Sequence, residues 1–352
     1  MFDLIYKVVW FFTRSFLFLF PPEFSHNFTF FIIKFLFKIP FLKKIEKSRY
    51  FINNKKLERN VFGINFSNPV GLAAGFDKNA KMINDFDAFG FSFIEIGTVT
   101  PKSQYGNKKP RLFRLKKDNG LINRMGFNND GLIKVISRLK KKKTKLIIGG
   151  NIGKNKTTPL EDSVDDYKKC FNDLFDYVDY FVLNVSSPNT PSLRELQRKD
   201  KLETLISSIQ LINEKKYNPK PVLIKISPDL DFKYVDEVID LIFKYKISGV
   251  VATNSTNTRD GLKTSYDKIE KIGQGGLTGS PIKEMSTNMI RYINKKASGS
   301  IPIIAVGGIM SPDDAIEKIE AGASLIQLYT GFVYKGPLLI RNINKAILEK
   351  YN

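Results

Sequence analysis

Residues 301–331 read IPIIAVGGIMSPDDAIEKIEAGASLIQLYTG and contain the unit from which the fold of this chain can be inferred. Two short apolar runs, IPIIAVGGI and LIQLYTG, flank the amphipathic segment DDAIEKIEAGA. Short runs rich in Ile, Val and Leu are typical of buried strands, whereas the middle segment has the periodicity of a helix that covers a sheet. The stretch therefore predicts a strand, a helix and a second strand parallel to the first.

Six further apolar runs precede this unit along the chain. They are PVGLAA (69–74), FIEIGTV (93–99), KLIIGGNIG (145–153), YFVLNVSS (180–187), PVLIKIS (221–227) and GVVATNS (249–255). Strands that are apolar nearly throughout are covered on both faces, and eight such units favour an α/β fold closed into a (β/α)8 TIM barrel over residues 46–352. An open Rossmann-type sheet is the alternative. It is weakened because no GxGxxG motif opens the first unit, and GQGGLTG lies late in the chain without a strand before it.

Residues 1–45 differ from the rest and predict an N-terminal helical extension. Residues 2–20 and 27–37 are mostly apolar, but each run carries cations, and Pro21 with Pro22 separates the two. Internal cations and a short second run argue against a transmembrane span. We expect two amphipathic helices that lie in the membrane interface, attracted by anionic headgroups. The segment lacks both the cleavage site of a signal peptide and the composition of an organellar transit peptide.

The chain of 352 residues carries a formal net charge of +21 at pH 7. Such a charge suits nucleic acid, an anionic membrane surface or anionic small ligands, but a proteome-wide bias toward Lys, Asn, Ile and Phe explains it equally well. No zinc-finger spacing or aromatic-interleaved basic motif is present, so we expect no nucleic-acid partner and no metal. Cys170 is the only cysteine, which excludes an internal disulfide and fits a reducing compartment.

Polar residues or glycines stand at the carboxyl end of every predicted strand. In chain order they are Lys78, Thr98, Asn151, Asn184, Lys225, Thr253, Asn254, Gly307, Gly308, Tyr329 and Thr330. In a barrel of this type the active site gathers at that end of the strands, so we expect these residues to converge. One such residue is usually a strand-end hydrogen bonder, but a converging set from all eight strands predicts a ligand site.

Two lysines are the strongest chemical signal in this set. Lysine is seldom buried without an anionic partner, so Lys78 and Lys225 indicate an anionic ligand. The structural alternative is an ion pair, for which Asp77 is the obvious partner of Lys78. The glycines after the seventh strand, with Gly331 after the eighth, occupy the phosphate-binding place of such barrels. The set therefore predicts a ligand that carries a phosphate.

A series of motifs occurs in an order that is specific to one family. They are GLAAGFDKN, EIGTVTP, PRLFRL, GLINRMGFNN, NIGKNK, NVSSPNTP, VATN, GGLTG, VGGI and GFVYKGP, which lie between Gly71 and Pro337, within a match that extends from about Pro22 to Pro337. In these motifs the chain resembles the dihydroorotate dehydrogenase family. The cytosolic class of that family has a cysteine as catalytic base, whereas the membrane-associated, quinone-reducing class has a serine and an N-terminal helical extension. Ser187 and the extension point to the quinone class.

The resemblance implies one FMN per chain and assigns residues to three sites. The FMN site is Ala74, Gly75, Phe76, Asp77, Lys78, Thr98, Asn151, Asn184, Lys225, Thr253, Gly279, Gly308, Tyr329 and Thr330. The dihydroorotate site is Lys78, Asn123, Arg124, Met125, Gly126, Phe127, Asn184, Asn189, Asn254 and Ser255, where Ser255 replaces the threonine that other members usually have. His26 and Arg114 fall where the family lines its quinone tunnel.

The same resemblance implies that the protein oxidises dihydroorotate to orotate in pyrimidine biosynthesis and passes the electrons through FMN to a membrane quinone. Ser187 is the implied general base, with Thr190 as a candidate for its proton relay, and the hydride goes to flavin N5. Because a serine hydroxyl is a poor base in water, the site must be dry and pre-organised. We expect a monomer at the cytoplasmic face of a bacterial inner membrane, with a mitochondrial location as the alternative.

Two other interpretations of the residues are weaker. Another barrel that binds FMN or phosphate, such as a phosphosugar lyase or a hydroxy-acid oxidase, is the competing enzyme. An oxidase of that kind would be expected to have a histidine base near a strand end, and the only histidine, His26, is far from any strand. A basic scaffold that binds membranes or nucleic acid would leave the polar residues at the strand ends unexplained.

Overall fold

The structure is a computed structural model that describes residues 2–190 and 192–351, so Pro191, the last residue of the NVSSPNTP motif, lies outside it. The strands are β1 (Arg59–Val61), β2 (Ile64–Phe66), β3 (Val70–Leu72), β4 (Phe93–Val99), β5 (Leu112–Leu115), β6 (Gly120–Asn123), β7 (Ile147–Ile152), β8 (Tyr180–Asn184), β9 (Val222–Ile226), β10 (Gly249–Ala252), β11 (Gly276–Gly279), β12 (Ile303–Val306) and β13 (Leu325–Leu328).

The α-helices are α1 (Phe2–Leu17), α2 (Pro22–Leu36), α3 (Pro40–Tyr50), α4 (Leu132–Leu139), α5 (Ser163–Leu174), α6 (Lys199–Glu214), α7 (Phe232–Lys244), α8 (Tyr266–Ile272), α9 (Lys283–Lys296), α10 (Pro312–Glu320), α11 (Thr330–Lys335) and α12 (Leu338–Lys350). Short 3-10 helices span Lys55–Leu57, Phe86–Phe89, Lys116–Asp118, Phe175–Tyr177, Leu193–Gln197 and Ser280–Ile282.

Eight strands close into a parallel barrel. Their order is β3, β4, β7, β8, β9, β10, β12 and β13, and β13 pairs with β3 to complete the circle. Each of the eight apolar runs contains one of these strands, which confirms the predicted (β/α)8 barrel and rules out an open Rossmann-type sheet. The runs are nearly uninterrupted because helices cover the outer face of the barrel while side chains fill its interior.

Two antiparallel elements do not follow from the apolar pattern. The β1–β2 hairpin packs on the interior of the barrel, where Phe66 lies 5.2 Å from Phe93, ring centre to ring centre. A three-stranded sheet of β5, β6 and β11 joins segments more than 100 residues apart in the chain, since Leu121 pairs with Thr278. Leu121 and Thr278 both line a cavity at the carboxyl ends of the barrel strands, so this sheet helps to enclose it.

The N-terminal extension consists of α1, α2 and α3, which confirms the predicted helices and adds a third that crosses the expected boundary at residue 45. The extension is docked on the barrel through hydrogen bonds, including one of 3.0 Å from Trp10 Nε1 to Tyr334 O. Its outer face is apolar, with Phe12 and Phe31 each 66% exposed. Among the described residues, no helix combines the length and apolar character needed to cross a membrane.

Candidate active site

A cavity opens at the carboxyl ends of the barrel strands. Its empty volume is about 1070 Å3, including the part open to solvent, which is enough for a small-molecule ligand. Most of the predicted cofactor and substrate residues line it, namely Ala74, Gly75, Lys78, Thr98, Asn123, Met125, Gly126, Phe127, Asn184, Ser187, Asn189, Lys225, Thr253, Asn254, Ser255, Gly279, Gly308, Tyr329 and Thr330. We call this the polar cavity.

Amide and hydroxyl groups joined by hydrogen bonds form part of the polar cavity wall, with Asn151 behind it. Thr98 Oγ1 donates to Asn151 Oδ1 at 2.5 Å, and Asn184 Nδ2 donates to Thr98 Oγ1 at 2.7 Å. Asn254 Nδ2 donates to Asn184 Oδ1 at 3.2 Å. These residues come from β4, β7, β8 and the segment after β10, so the closure of the barrel brings them together. An amide both donates and accepts, which suits a ligand with both kinds of group.

Lys225 lines the polar cavity and has an anionic neighbour inside the barrel. Its Nζ lies 3.6 Å from Glu95 Oε1, and the Glu95 side chain is fully buried. Glu95 also accepts hydrogen bonds of 2.7 Å from Asn151 Nδ2 and from Gln327 Nε2. Sequence reasoning missed Glu95 and Gln327, although a polar residue within an otherwise apolar strand, as in FIEIGTV and LIQLYTG, was an available signal.

Lys78 is a half-buried cation in the wall of the polar cavity, and the described residues supply no carboxylate partner for it. Its Nζ donates to Asn128 Oδ1 at 2.5 Å. Burial, followed by the charge of Arg111, lowers the pKa of Lys78 to about 7. Asp77, the partner considered from the sequence, instead accepts hydrogen bonds from the backbone of the next turn. Because an ammonium that a bound ligand covers is costly to desolvate without an anion, the site is suited to a ligand that brings its own carboxylate.

Ser187 follows β8 and is 7% exposed. Its Oγ accepts a hydrogen bond of 3.3 Å from the backbone N of Asn189. Asn189 Nδ2 in turn donates to Asn123 Oδ1 at 3.1 Å, which joins this loop to β6. The hydroxyl of Thr190 is buried and makes no hydrogen bond within the described residues. The loop therefore holds the Ser187 hydroxyl in a nearly dry place at the edge of the polar cavity.

Glycines bring the backbone close to the cavity at the ends of β11 and β12. Gly279 and Gly308 have positive φ angles of 96° and 78°. A Cβ at Gly308 would lie 2.3 Å from the Lys283 Cα, so no other residue fits there without a backbone shift. Nearby, the Thr330 and Thr278 hydroxyls are 3.0 Å apart. Backbone and hydroxyl donors in such a concave place suit a phosphate group.

A second cavity lies between the N-terminal extension and the barrel. Its empty volume is about 1240 Å3, including the part open to solvent, and its lining is mostly aliphatic and aromatic, with side chains such as Phe18, Phe30 and Ile33. We call it the apolar cavity. Leu112, Leu121 and Tyr329 line both cavities and form a common wall. A ligand in the apolar cavity is thus separated from one in the polar cavity by a single layer of side chains.

Both residues predicted for the quinone tunnel, His26 and Arg114, line the apolar cavity. The His26 ring lies 4.2 Å from that of Phe30, and burial lowers the pKa of His26 to about 4, so the ring is neutral near pH 7. Arg114 Nη1 donates to Phe20 O at 2.7 Å, and its Nη2 donates to Ser25 Oγ at 3.0 Å. Arg114 therefore also fastens the junction of α1 and α2 to the barrel.

A sequence profile described as Dihydroorotate dehydrogenase matches residues 56–351. The chain belongs to the dihydroorotate dehydrogenase family. A relative named dihydroorotate dehydrogenase (quinone) from Christiangramia forsetii is 54% identical over 337 residues, which cover 96% of this chain and 98% of that protein. A protein of the same name from Thermosynechococcus vestitus is 47% identical over 306 residues, which cover 85% of this chain and 83% of that protein. The chain is therefore an oxidoreductase of the quinone-dependent class.

Crystal structures of the family have the same fold as this oxidoreductase. DHODH from Eimeria tenella in complex with ferulenol aligns with a TM-score of 0.82 and 35% identity, over 94% of this chain and 91% of that one. Ligand-free DHODH from the same organism aligns with a TM-score of 0.83 and 34% identity, over 94% of this chain and 95% of that one. The alignments cover nearly the whole chain, so the architecture of barrel and extension is shared.

Four predicted residues of this oxidoreductase lie outside the lining of the polar cavity. Phe76 lines the apolar cavity, and the Asp77 carboxylate accepts backbone hydrogen bonds. Asn151 supports Thr98 from within the barrel. The Arg124 guanidinium donates to the carbonyls of residues 272 and 274. In these positions they hold their neighbours in place, and direct contact of the four with a ligand stays a prediction.

Proposed function

We propose that this protein oxidises (S)-dihydroorotate to orotate in pyrimidine biosynthesis, with FMN as its cofactor and a membrane quinone as electron acceptor. The observation that carries the proposal is the pair of cavities with a common wall, one polar with Lys78 and Ser187, the other apolar. The names of its relatives support the substrate and the acceptor. His26 lines the apolar cavity and not the polar cavity, where a hydroxy-acid oxidase would need its base.

The residues of the polar cavity fit FMN. Gly279, Gly308 and Thr330 would hold the phosphate through backbone and hydroxyl donors. The Thr253 hydroxyl is buried and has no partner among the described residues, as expected of a group that bonds to a ligand. The Lys225 ammonium would stabilise negative charge on the reduced ring. When bound, the flavin supplies the acceptor for the hydride that leaves dihydroorotate.

The substrate would be held by charge at one end and by amides around its ring. Lys78 would pair with the carboxylate, which supplies the anion that the protein itself lacks there. The side chains that would bond to the ring amides are those of Asn123, Asn184, Asn189 and Asn254, all at the polar cavity. The Ser255 hydroxyl, 4% exposed, can replace the threonine of other members because both offer the same group.

Ser187 would remove the proton from ring carbon C5 of dihydroorotate. Its hydroxyl proton must leave as the new proton arrives, since a free alkoxide is too costly near neutral pH. The buried Thr190 hydroxyl, three residues away and without a partner in the described part of the chain, is suited to pass that proton on. Exclusion of water around Ser187 keeps both hydroxyls in one orientation and protects the developing charge from solvent reorganisation.

The apolar cavity would admit the quinone from the bilayer. A long-tailed quinone does not diffuse freely through water, so its entry must face a membrane. Side chains exposed on α1 and α2 form a suitable surface, among them Ile5, Val9, Phe12, Phe16, Phe28, Phe31 and Phe35. Apolar helices with cations at their margins bind at the headgroup boundary without crossing it. We therefore place the protein on the cytoplasmic face of a bacterial inner membrane as a peripheral protein.

The proposed function predicts that the purified protein is yellow and holds about one FMN per chain. Anaerobic addition of dihydroorotate should bleach the flavin absorbance, and a long-tailed quinone should restore it. The measurement is the visible spectrum with chemical identification of the released flavin. Release of FAD, or a colourless protein that takes up no FMN, would contradict the proposal.

Filling the apolar cavity should impair only the quinone half of the reaction. Thr29 lines this cavity on α2, and the Thr29→Trp variant places a bulky ring in it. Because the ring occupies volume that the quinone would fill, the KM for a long-tailed quinone should rise roughly 10-fold or more, which corresponds to about 1.4 kcal/mol, while flavin bleaching by dihydroorotate keeps its rate. Phe31→Trp, on the exposed face of the same helix, is the matched control. An unchanged quinone KM in Thr29→Trp would remove the cavity from the quinone path.

A further inference from the structure

Glu23 lies in the first turn of α2 and lines neither cavity, yet it forms an ion pair with the barrel. Arg111 Nη2 and Nε donate to Glu23 Oε1 at 2.9 and 3.1 Å. Arg111 is 6% exposed, and the Glu23 side chain is 20% exposed. A pair made through two nitrogens fixes orientation as well as distance. Neither the quinone path nor the membrane surface accounts for a charged contact at this place.

The other end of the same guanidinium holds the border of the polar cavity. Arg111 Nη1 donates to Asn107 O at 3.1 Å. Asn107 Nδ2 donates to Arg124 O at 3.1 Å and to Asn189 O at 3.3 Å. Arg124 lies in residues 123–127 and Asn189 in residues 184–189, and these two stretches contain most of the predicted substrate residues. A continuous set of polar contacts therefore runs from Glu23 in the N-terminal extension to the loop of the proposed base.

We propose that Glu23 is a positioning residue for dihydroorotate, acting through Arg111 and Asn107 on the Asn189 loop. The proposal rests on the proposed function, because it takes the polar cavity as the dihydroorotate site. Without the carboxylate, Arg111 keeps a buried charge whose remaining partners among the described residues are the carbonyl oxygens of Tyr105 and Asn107, and the guanidinium shifts toward water. Asn107 then loses its support, and the loop that presents Asn189 to the substrate becomes less ordered.

The charge of Glu23 also raises the pKa of Lys78. The pKa of Lys78, about 7, is lowered first by burial and then by Arg111, and is raised by Glu23. His26 on the same helix adds no charge near pH 7, because burial lowers its pKa to about 4. Removing the Glu23 charge therefore lowers the pKa of Lys78, and the ammonium that pairs with the substrate carboxylate is lost at a lower pH than in the wild type.

The test compares orotate binding by four full-length, FMN-loaded proteins, the wild type and three variants, at pH values on both sides of the pKa of Lys78. Calorimetry of Glu23→Gln should show orotate bound about 5-fold more weakly, with the loss of affinity displaced to lower pH. Asp87→Asn is the matched control, since it removes ion pairs of 2.9 and 3.0 Å that join Lys43 and Lys47 of the extension to the barrel elsewhere. It should bind orotate as the wild type does.

Equal dissociation constants for Glu23→Gln and the wild type at every pH would overturn the inference. The same weakening in Asp87→Asn would also overturn it, because general loosening of the extension would then explain both variants. Glu23→Asp keeps the charge, so it should keep the pH dependence of the wild type even where its ion pair is longer. Failure of the FMN-loaded wild type to bind orotate would contradict the proposed function, and the inference with it.

Discussion

The Ser187→Ala variant is expected to reduce its flavin with dihydroorotate on the order of 10²–10⁴-fold more slowly than the wild type, as for loss of a general base. Orotate affinity should change little, because Ser187 would act on the proton that leaves and not on the ground state. The measurement is the rate of flavin bleaching in a single anaerobic turnover, with orotate binding followed separately. A rate equal to that of the wild type would remove Ser187 from the mechanism.

Two further variants test whether the Ser187 side chain takes a proton or only orders the loop. Ser192→Ala changes an exposed serine of the same loop and should leave the bleaching rate unaltered. Ser187→Cys supplies a thiol, which ionises far more readily than a hydroxyl, near pH 8.5 in water (approximate value). It should recover part of the lost rate, and more of it as the pH rises. A cysteine variant as slow as alanine at every pH would argue that the side chain orders the loop and does not take a proton.

The Lys78→Ala variant should bind orotate on the order of 10²-fold more weakly, since truncating one partner of a buried charge pair typically costs about 2–5 kcal/mol. In the wild type, orotate affinity should fall as pH rises through the pKa of Lys78, about 7 in the ligand-free protein, because the neutral amine no longer attracts the carboxylate. Lys78→Ala should lose that dependence. Calorimetric titration with orotate over this pH range measures both effects.

Lys81→Ala is the control for charge in this segment. Lys81 is 45% exposed and lies 3.8 Å from Asp130, so its removal changes the local charge by the same amount without altering the cavity. It should leave orotate affinity and its pH dependence nearly as they are. Loss of affinity in Lys81→Ala equal to that in Lys78→Ala would mean that general positive potential, and not a direct contact, attracts the substrate.

The barrel was predictable because its signal is local. Each strand is a short apolar run, and each run ends in a polar residue or a glycine. The position of that residue at the strand end can be predicted without knowing which strands lie beside it. Closure then brings Thr98, Asn184 and Lys225 to one cavity whatever their separation in sequence. The site residues that were missed, Glu95 and Gln327, lie inside strands, where one polar residue has no assigned partner until the barrel is closed.

The N-terminal extension was only partly predictable from local apolar periodicity. Apolar periodicity predicted helices and a face for the membrane, and the structure has both an exposed apolar face on α1 and α2 and an inner face on the barrel. Periodicity gave no hint of α3, whose sequence PFLKKIEKSRY is largely polar and whose Tyr50 becomes buried only on docking. Nor could it show that the extension and the barrel together enclose the apolar cavity.

The sequence by itself determined the fold class, the polar residues and glycines at the strand ends, and the motifs that indicate the quinone class. Only the tertiary structure decided which charges meet. Glu23 and Arg111 are 88 residues apart, Lys78 has no carboxylate partner among the described residues although Asp77 beside it was the alternative considered, and Lys225 lies 3.6 Å from Glu95 of a different strand. The reason is physical: helix and strand periodicities act over a few residues, whereas the partner of a buried charge is whatever side chain the closed barrel places within reach.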